Sequence, residues 1–326
     1  TLANTANLEL HQGYFQIRNL WNHPISLRAG RQELVYGNER MIGAVGFSNV
    51  GRSFDGFKLS FGRKNRLDLF YTIINESNQP VAGPATPATV AGRDDNDNRF
   101  FGAYYEYRQK PQYKLDVYGL YELDLRQTVP GEDDLRRVTL GTYSKGKLST
   151  LVDFESELAL QFGKRRGQDV LAFMLTGSVG YTFQTGRKPA VRLGYDFLSG
   201  MDAGDTDYKA FATPFPTNHK FYGLMDYFIN IPLNTGGQGL QDFMVKAKVP
   251  VADKWVLNAH YHNFRAAKGP EKDFGNELDL LLKYKYNRVA SFEFVLAFFA
   301  PGDLMKQKFG NNDVGLWSYV TLVTSF

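Results

Sequence analysis

Hydrophobic and polar residues alternate one by one along most of this chain. Between Asn276 and Asn287, Leu278, Leu280, Leu282, Tyr284 and Tyr286 share one parity, and Glu277, Asp279, Leu281, Lys283 and Lys285 the other. The next stretch repeats the pattern, with Phe292, Phe294, Leu296 and Phe298 against Ser291, Glu293, Val295 and Ala297. A period of two predicts β-strands, whose side chains point to opposite faces in turn. One face is large and aromatic while the other carries full charges, strand after strand. That suits a wall with lipid on one side and water on the other.

The same pattern predicts 15 strands, at 8–20, 25–36, 54–63, 66–75, 99–108, 113–124, 135–145, 148–162, 169–183, 189–198, 240–249 and 254–266, then three running to the chain end. The connections alternate in length. The short set is WNHP, RKN, QKPQ, SKGK, TGRK, VADK and NR; the long set is 37–53, 76–98, 125–134, 199–238, 267–274 and 302–312, with the short 163–168 serving on the long side. Transmembrane barrels have short periplasmic turns and longer outer loops. The fold class expected is therefore an all-β, antiparallel transmembrane β-barrel forming one domain over 1–326. Such barrels usually have even strand numbers, so either an odd number of strands is expected before Thr1 or the chain holds 16 strands rather than 15. On this topology Asn287, Lys145, Lys188 and Phe326 share one rim, and Asp95, Asp133 and Lys306 the other.

The segment 199–239 is expected to be a pore-constricting extracellular loop. Phe221, Leu224, Met225, Phe228 and Ile229 fall at i, i+3, i+4, i+7 and i+8, which predicts an amphipathic helix over 219–230. Thr217 or Asn218 would cap its start, and Pro232 lies beyond its end. Gly223 opposes it by about 1 kcal/mol. His219, Lys220 and Asp226 would face the solute path.

Composition sharpens this picture. Charged residues are 22%, with 26 Phe, 19 Tyr and 3 Trp, and mean hydropathy is −0.36. No run of 18 apolar residues predicts a transmembrane helix. The absence of cysteine excludes disulfides and thiolate chemistry. A net charge of +4 is too small for nucleic-acid binding. The chain opens on Thr1 without a basic or apolar leader pattern, as expected of a mature form.

Candidate chemistry lies on the inward parity. Arg18 and Arg28 fall there, as does Lys58; Arg31, Arg40 and Arg52 are added for the GRQ, NERMIG and VGRSFDG phrases they sit in, not by parity. Guanidinium groups grip carboxylates bidentately, so this set forms a candidate ladder for a polyanion. The alternative is that these cations brace the wall against Glu33, Glu39 and Asp55. Arg192, Lys246, Lys248 and Lys283 extend the basic set, while Asp153, Glu155, Glu157, Glu277, Asp279 and Glu293 oppose it. Such mixed sectors suit a network filling a narrow barrel. His260 and His262 share a face at a spacing that chelates metal, but the sequence offers no third ligand. The DDNDN stretch (94–98) lacks the glycine and glutamate of a calcium loop. No nucleophile elbow, P-loop or acid pair is present, so neither enzyme activity nor a cofactor is expected. Trp21, Trp255 and Trp317 fall at strand ends, where aromatic girdles sit.

Several phrases are similar to one known family. LHQGYFQIRNL, LRAGRQELVYGNERMIG and FSNVGRSFDGFKLSF, within residues 10–61, resemble the alginate export family of outer-membrane β-barrels. LGYDFLSG (193–200), FPTNHKFYGLMDYF (215–228) and GNELDLLLKYKYN near the end resemble it too. The resemblance implies an 18-stranded barrel in a Gram-negative outer membrane, with three strands before Thr1. It implies passive passage of a polyuronate through a narrow basic pore closed by loops. The partners implied are lipid, lipopolysaccharide, a polysaccharide or small anionic solute, and periplasmic secretion components. A sugar or small-anion porin, and a filled barrel that anchors other proteins, are the alternatives.

Overall fold

The computed structural model describes residues 10–48, 50–75, 98–125 and 135–324. Its strands are β1 (Gly13–Ile17), β2 (Ile25–Gln32), β3 (Phe54–Phe61), β4 (Arg66–Asn75), β5 (Asn98–Tyr107), β6 (Tyr113–Asp124), β7 (Leu135–Lys147) and β8 (Val152–Arg165). They continue as β9 (Gln168–Thr182), β10 (Ala190–Leu198), β11 (Leu240–Ala252), β12 (Trp255–Arg265), β13 (Asp273–Lys285), β14 (Ala290–Pro301) and β15 (Gly315–Thr324). All 15 form one sheet in strict chain order. Its pairings are antiparallel, for example β8 with β9 and β13 with β14. Among the described residues no helix is long and apolar enough to cross a membrane; the crossing elements are the strands of a β-barrel.

The two faces of the wall differ as the alternation requires. On β14, Phe294 is 40% exposed while the adjacent Val295 is 4% exposed. Leu158, Leu160, Phe173, Leu193, Phe243 and Tyr261 likewise stand exposed on the outside. A water-soluble surface does not present so much contiguous apolar area; lipid accepts it. The inner face buries Asp68, Asp116, Glu157, Asp196, Asp242, His262, Glu277 and Asp279.

Connection lengths alternate as expected. Asn287, Lys145 and Lys188 lie at one end of the meander and Lys306 at the other, whereas Asp95, Asp133 and Phe326 lie outside the described residues, as does most of DDNDN. The 163–168 stretch resolves into a two-residue turn. Arg166 and Gly167 both have positive φ (48° and 77°), the backbone that joins right-twisted strands most tightly.

The connection from β2 to β3 and the one from β10 to β11 fold inward and pair with each other. Gly43 N–H donates to Phe215 O (2.8 Å), Phe215 N–H to Met41 O (3.0 Å) and Thr217 N–H to Glu39 O (2.9 Å). The Phe215 ring then packs on Phe54 and Phe100 from the wall, at centroid distances of 5.3 and 4.7 Å. Phe228 packs on Phe264 and Phe274, and Leu224 on the inward Leu281 and Val295.

The expected helix over 219–230 does not form. Only a single 3-10 turn, Asn218–Lys220, appears there. Gly223 (φ 79°) and Asp226 (φ 61°) then leave helical space. The reason is tertiary. Glu277 on β13 accepts the Met225 N–H at 2.8 Å, a bond that replaces a helical one. A Cβ at residue 223 would stand only 2.5 Å from the Glu277 carboxyl. The apolar residues of the stripe are still used: Leu224 and Phe228 are buried, while Ile229 is exposed. The α-helix that does form, α1 (Asp303–Phe309), occupies the β14–β15 connection. Gly310, at φ 67°, ends it.

Candidate functional site

The site is the inner wall together with the two infolded connections. Its centre is Arg40, carried inward by the β2–β3 connection. The guanidinium pairs with Asp196 on β10 at 2.8 Å and Glu157 on β8 at 3.7 Å. It also donates to the Tyr222 hydroxyl and lies over the Phe221 ring, 4.1 Å from its centroid. Burial alone would lower the pKa of this group; Asp196 and Glu157 outweigh burial and raise it. Arg40 therefore stays charged and ties two strands to both infolded connections.

A second clamp lies beside it. Glu39 accepts hydrogen bonds from Lys220 Nζ (2.8 Å) and Thr217 Oγ1 (2.9 Å). Partial burial pushes its pKa up, but these donors prevail and leave the carboxyl below its ordinary value. His219 Nδ1 meets Asp226 Oδ1 at 2.7 Å, and the imidazole stacks on Phe47 at 3.6 Å. Phe47 also touches Tyr319 on β15. The β2–β3 connection thus spans from β8 and β10 to the last strand, which only a curled sheet permits.

One side of the wall carries a ladder of tyrosines and acids. Tyr36 donates to Asp68 (2.8 Å), Tyr104 to Asp116 (2.9 Å) and Tyr118 to Glu157 (2.8 Å). The rings stack in turn, Tyr36 on Tyr104 at 4.3 Å and Tyr104 on Tyr118 at 5.4 Å. Arg66, Arg108 and Arg137 neutralise the neighbouring carboxylates. These partners follow from the inward parity of Asp116, Glu122 and Glu157. Their pairing does not, because it joins residues up to 39 positions apart.

Beneath the Arg40 centre is a cavity of about 450 Å³. Arg40, Lys114, Lys145, Arg192, Lys220 and Lys246 line it against only two carboxylates, Glu155 and Asp196. Lys145 pairs with Glu155 at 3.0 Å, and Arg192 with Asp153 and Ser178. Sequence reasoning missed Lys114 and Lys145 as site residues, and Asp196 as well. Asp196 shares its parity with Arg192, so the signal was present.

The other expected site residues are dispersed. Arg52 donates to Gly43 O (3.2 Å) and Pro216 O (2.9 Å). It forms no ion pair among the described residues, and burial pulls its pKa down to about 10. Arg28 lies over Tyr14 and donates to Gln16; Lys58 stands 3.8 Å from Asp68. Arg18 is exposed beyond β1, and Lys248 is exposed on β11. Lys283 pairs with Glu293 at 2.6 Å, next to a smaller basic pocket lined by Lys254, Lys285 and Arg288.

Arg31 departs from the expected ladder. Three positions after Arg28 in a strand, it projects to the opposite face. There it grips Asp55 in a fork, at 2.9 and 2.7 Å, with both side chains about half exposed. It braces the outside of the wall and does not line the lumen.

Solved structures with the same architecture come from Pseudomonas aeruginosa. OccK11 (OpdR) aligns at 18% identity over 93% of this chain and 78% of that one, with a TM-score of 0.55. OccK10 (OpdN) aligns at 14% over 93% and 80%, with a TM-score of 0.59. The outer membrane protein OprD aligns at 15% over 92% and 76%, with a TM-score of 0.56. These likenesses establish the fold. No curated protein matches the sequence. Residues 2–317, however, match the Alginate export family. With that match spanning the barrel and its infolded connections, the chain belongs to the alginate export family, a family of bacterial outer-membrane transport channels rather than enzymes.

Proposed function

We propose that this barrel passes an anionic saccharide, of the polyuronate class, through a lumen constricted by the 199–239 segment and its partner connection. The observation that carries this reading is the cavity beneath Arg40, where six cations face two carboxylates. Arginine and lysine at such a wall exchange carboxylate partners at low cost, because each partner replaces another of the same chemistry. A uronate carboxylate can thus displace Glu155 or Asp153 from Lys145 or Arg192 and be displaced in turn. Arg52, half-buried and without an acidic partner among the described residues, offers a further waiting charge. Passage is passive, driven by a gradient or by periplasmic partners.

A second reading, a filled barrel that anchors other proteins, is favoured by the packing of Phe215 and Phe228 into the lumen. Planar-bilayer recording separates the two. Anion-selective reversal potentials and block by polymannuronate, but not by neutral dextran, support the polyuronate channel. Anion-selective current that polymannuronate leaves untouched points to a small-solute porin, and no current at all points to the anchor.

A further inference from the structure

The inner wall between β12 and β13 brings together three side chains that the proposed transport does not use. His260 and His262 stand two apart on β12, and Asp279 lies directly opposite His260 on β13. One ligand atom from each of the three lies within 4.8 Å of the other two. Sequence spacing supplied the histidine pair; strand register supplies the third ligand that the sequence alone did not show.

Two further observations point to a cation here. Asp279 is fully buried beside a second carboxyl, Glu277, and the Leu224 backbone, and neither of its oxygens has a hydrogen bond of good geometry. A buried carboxylate that lacks a well-aligned donor and faces a second carboxyl is costly unless a positive charge meets it. His262 is buried as well, and its Nδ1 lies 2.7 Å from Asp242 Oδ2. Against a carboxylate acceptor that nitrogen carries the proton, which leaves the lone pair on Nε2. An acid that orients a histidine in this way is the usual second layer of a metal site.

We propose that His260, His262 and Asp279 bind a divalent first-row transition-metal ion of the zinc type. Two imidazoles and one carboxylate, with no thiolate, match zinc and its neighbours rather than calcium or magnesium. The lumen supplies the entry path, since Met244 and Lys246 on the adjoining β11 line the cavity. Lys246 stands opposite His260 and is the positive charge that competes for this corner. The neighbouring Glu277 holds the Met225 amide, so an ion at this position stiffens the part of the wall that anchors the infolded segment.

The test uses the full chain, without a polyhistidine tag, purified in detergent, stripped with chelator and titrated with zinc alone by calorimetry. One equivalent is expected to bind. His260→Ala and Asp279→Asn should each abolish stoichiometric binding, and Asp242→Asn should weaken it by roughly 10- to 100-fold, the usual effect of losing such an orienting acid. Heat-resistant mobility in detergent gels confirms that each variant keeps its barrel, and Lys246→Met, which removes the competing charge, should tighten binding. Wild-type and Lys246→Met proteins that both bind less than one equivalent would overturn the proposal. So would zinc binding undiminished in folded Asp279→Asn. Because the readout is metal binding, its failure leaves the transport reading untouched, and a barrel that carries no current could still bind zinc.

Discussion

Arg40→Ala tests the central clamp. The substitution removes one cation and leaves Asp196 and Glu157 in the lumen without it. The Arg40 side chain is 6% exposed and the two acids 3% and 4%, so solvent cannot take the place of the guanidinium. Deleting one partner of a buried pair costs about 3–5 kcal/mol, chiefly because the opposite charge is left behind. The lower figure suits a polar lumen. At about 1.4 kcal/mol per tenfold change, about 3 kcal/mol shifts the balance between docked and released connection by roughly two orders of magnitude. No strand ladder depends on Arg40, so the loss falls on the docking of the β2–β3 connection and the barrel stays intact. Single-channel recording should show larger or far more frequent openings, and limited proteolysis should cut within 33–53, while the barrel keeps its heat-resistant mobility. Arg40→Lys should be intermediate, because an ammonium lacks the planar fork that serves Asp196, Glu157 and Tyr222 together. The triple variant Arg40→Met, Glu157→Gln, Asp196→Asn should restore closure, since it removes the stranded charges along with their partner. If Arg40→Ala keeps wild-type conductance and resists proteolysis at 33–53, Arg40 does not hold the lumen closed.

Three further outcomes are expected. Replacing Phe294 with Arg places a charge on the lipid face at a cost of roughly 2–4 kcal/mol and should depress barrel assembly in vesicles, whereas Glu293→Gln on the inner face should assemble normally; equal assembly yields would contradict the face assignment. The Glu39 clamp predicts a pH response with a definite sign: its folded pKa is depressed, so its contribution is complete above the ordinary glutamate value and is lost as pH falls through the folded value. Acid should therefore increase openings, Glu39→Gln should show the same openings at neutral pH, and an unaltered acid response in that variant would assign it to another group. Finally, Arg192→Ala should lower anion preference in reversal-potential measurements while Arg31→Ala should leave it unchanged; a shift in both would place Arg31 on the solute path after all.

What the sequence determined by itself is whatever depends on period two. Side chains on a strand alternate by covalent geometry, so the faces of Phe294 and Val295, or of Leu280 and Asp279, were legible residue by residue. The number of strands and the alternation of short and long connections were legible for the same local reason. Even the outward turn of Arg31 was implicit, since it stands an odd number of positions from Arg28. What only the tertiary structure decided is how inward residues meet across the lumen. Arg40 reaches Tyr222, 182 positions away, and no local pattern specifies such a partner. The stripe from Phe221 to Ile229 was compatible with a helix, but its apolar residues had two walls to fill, and Glu277 offered the Met225 amide a better acceptor than a further helical turn. Likewise, His260 and His262 became a candidate metal site only when the β12–β13 register set Asp279 beside them. Local sterics write the wall of a barrel into its sequence; the contents of its lumen arise from contacts between strands that are distant in the chain.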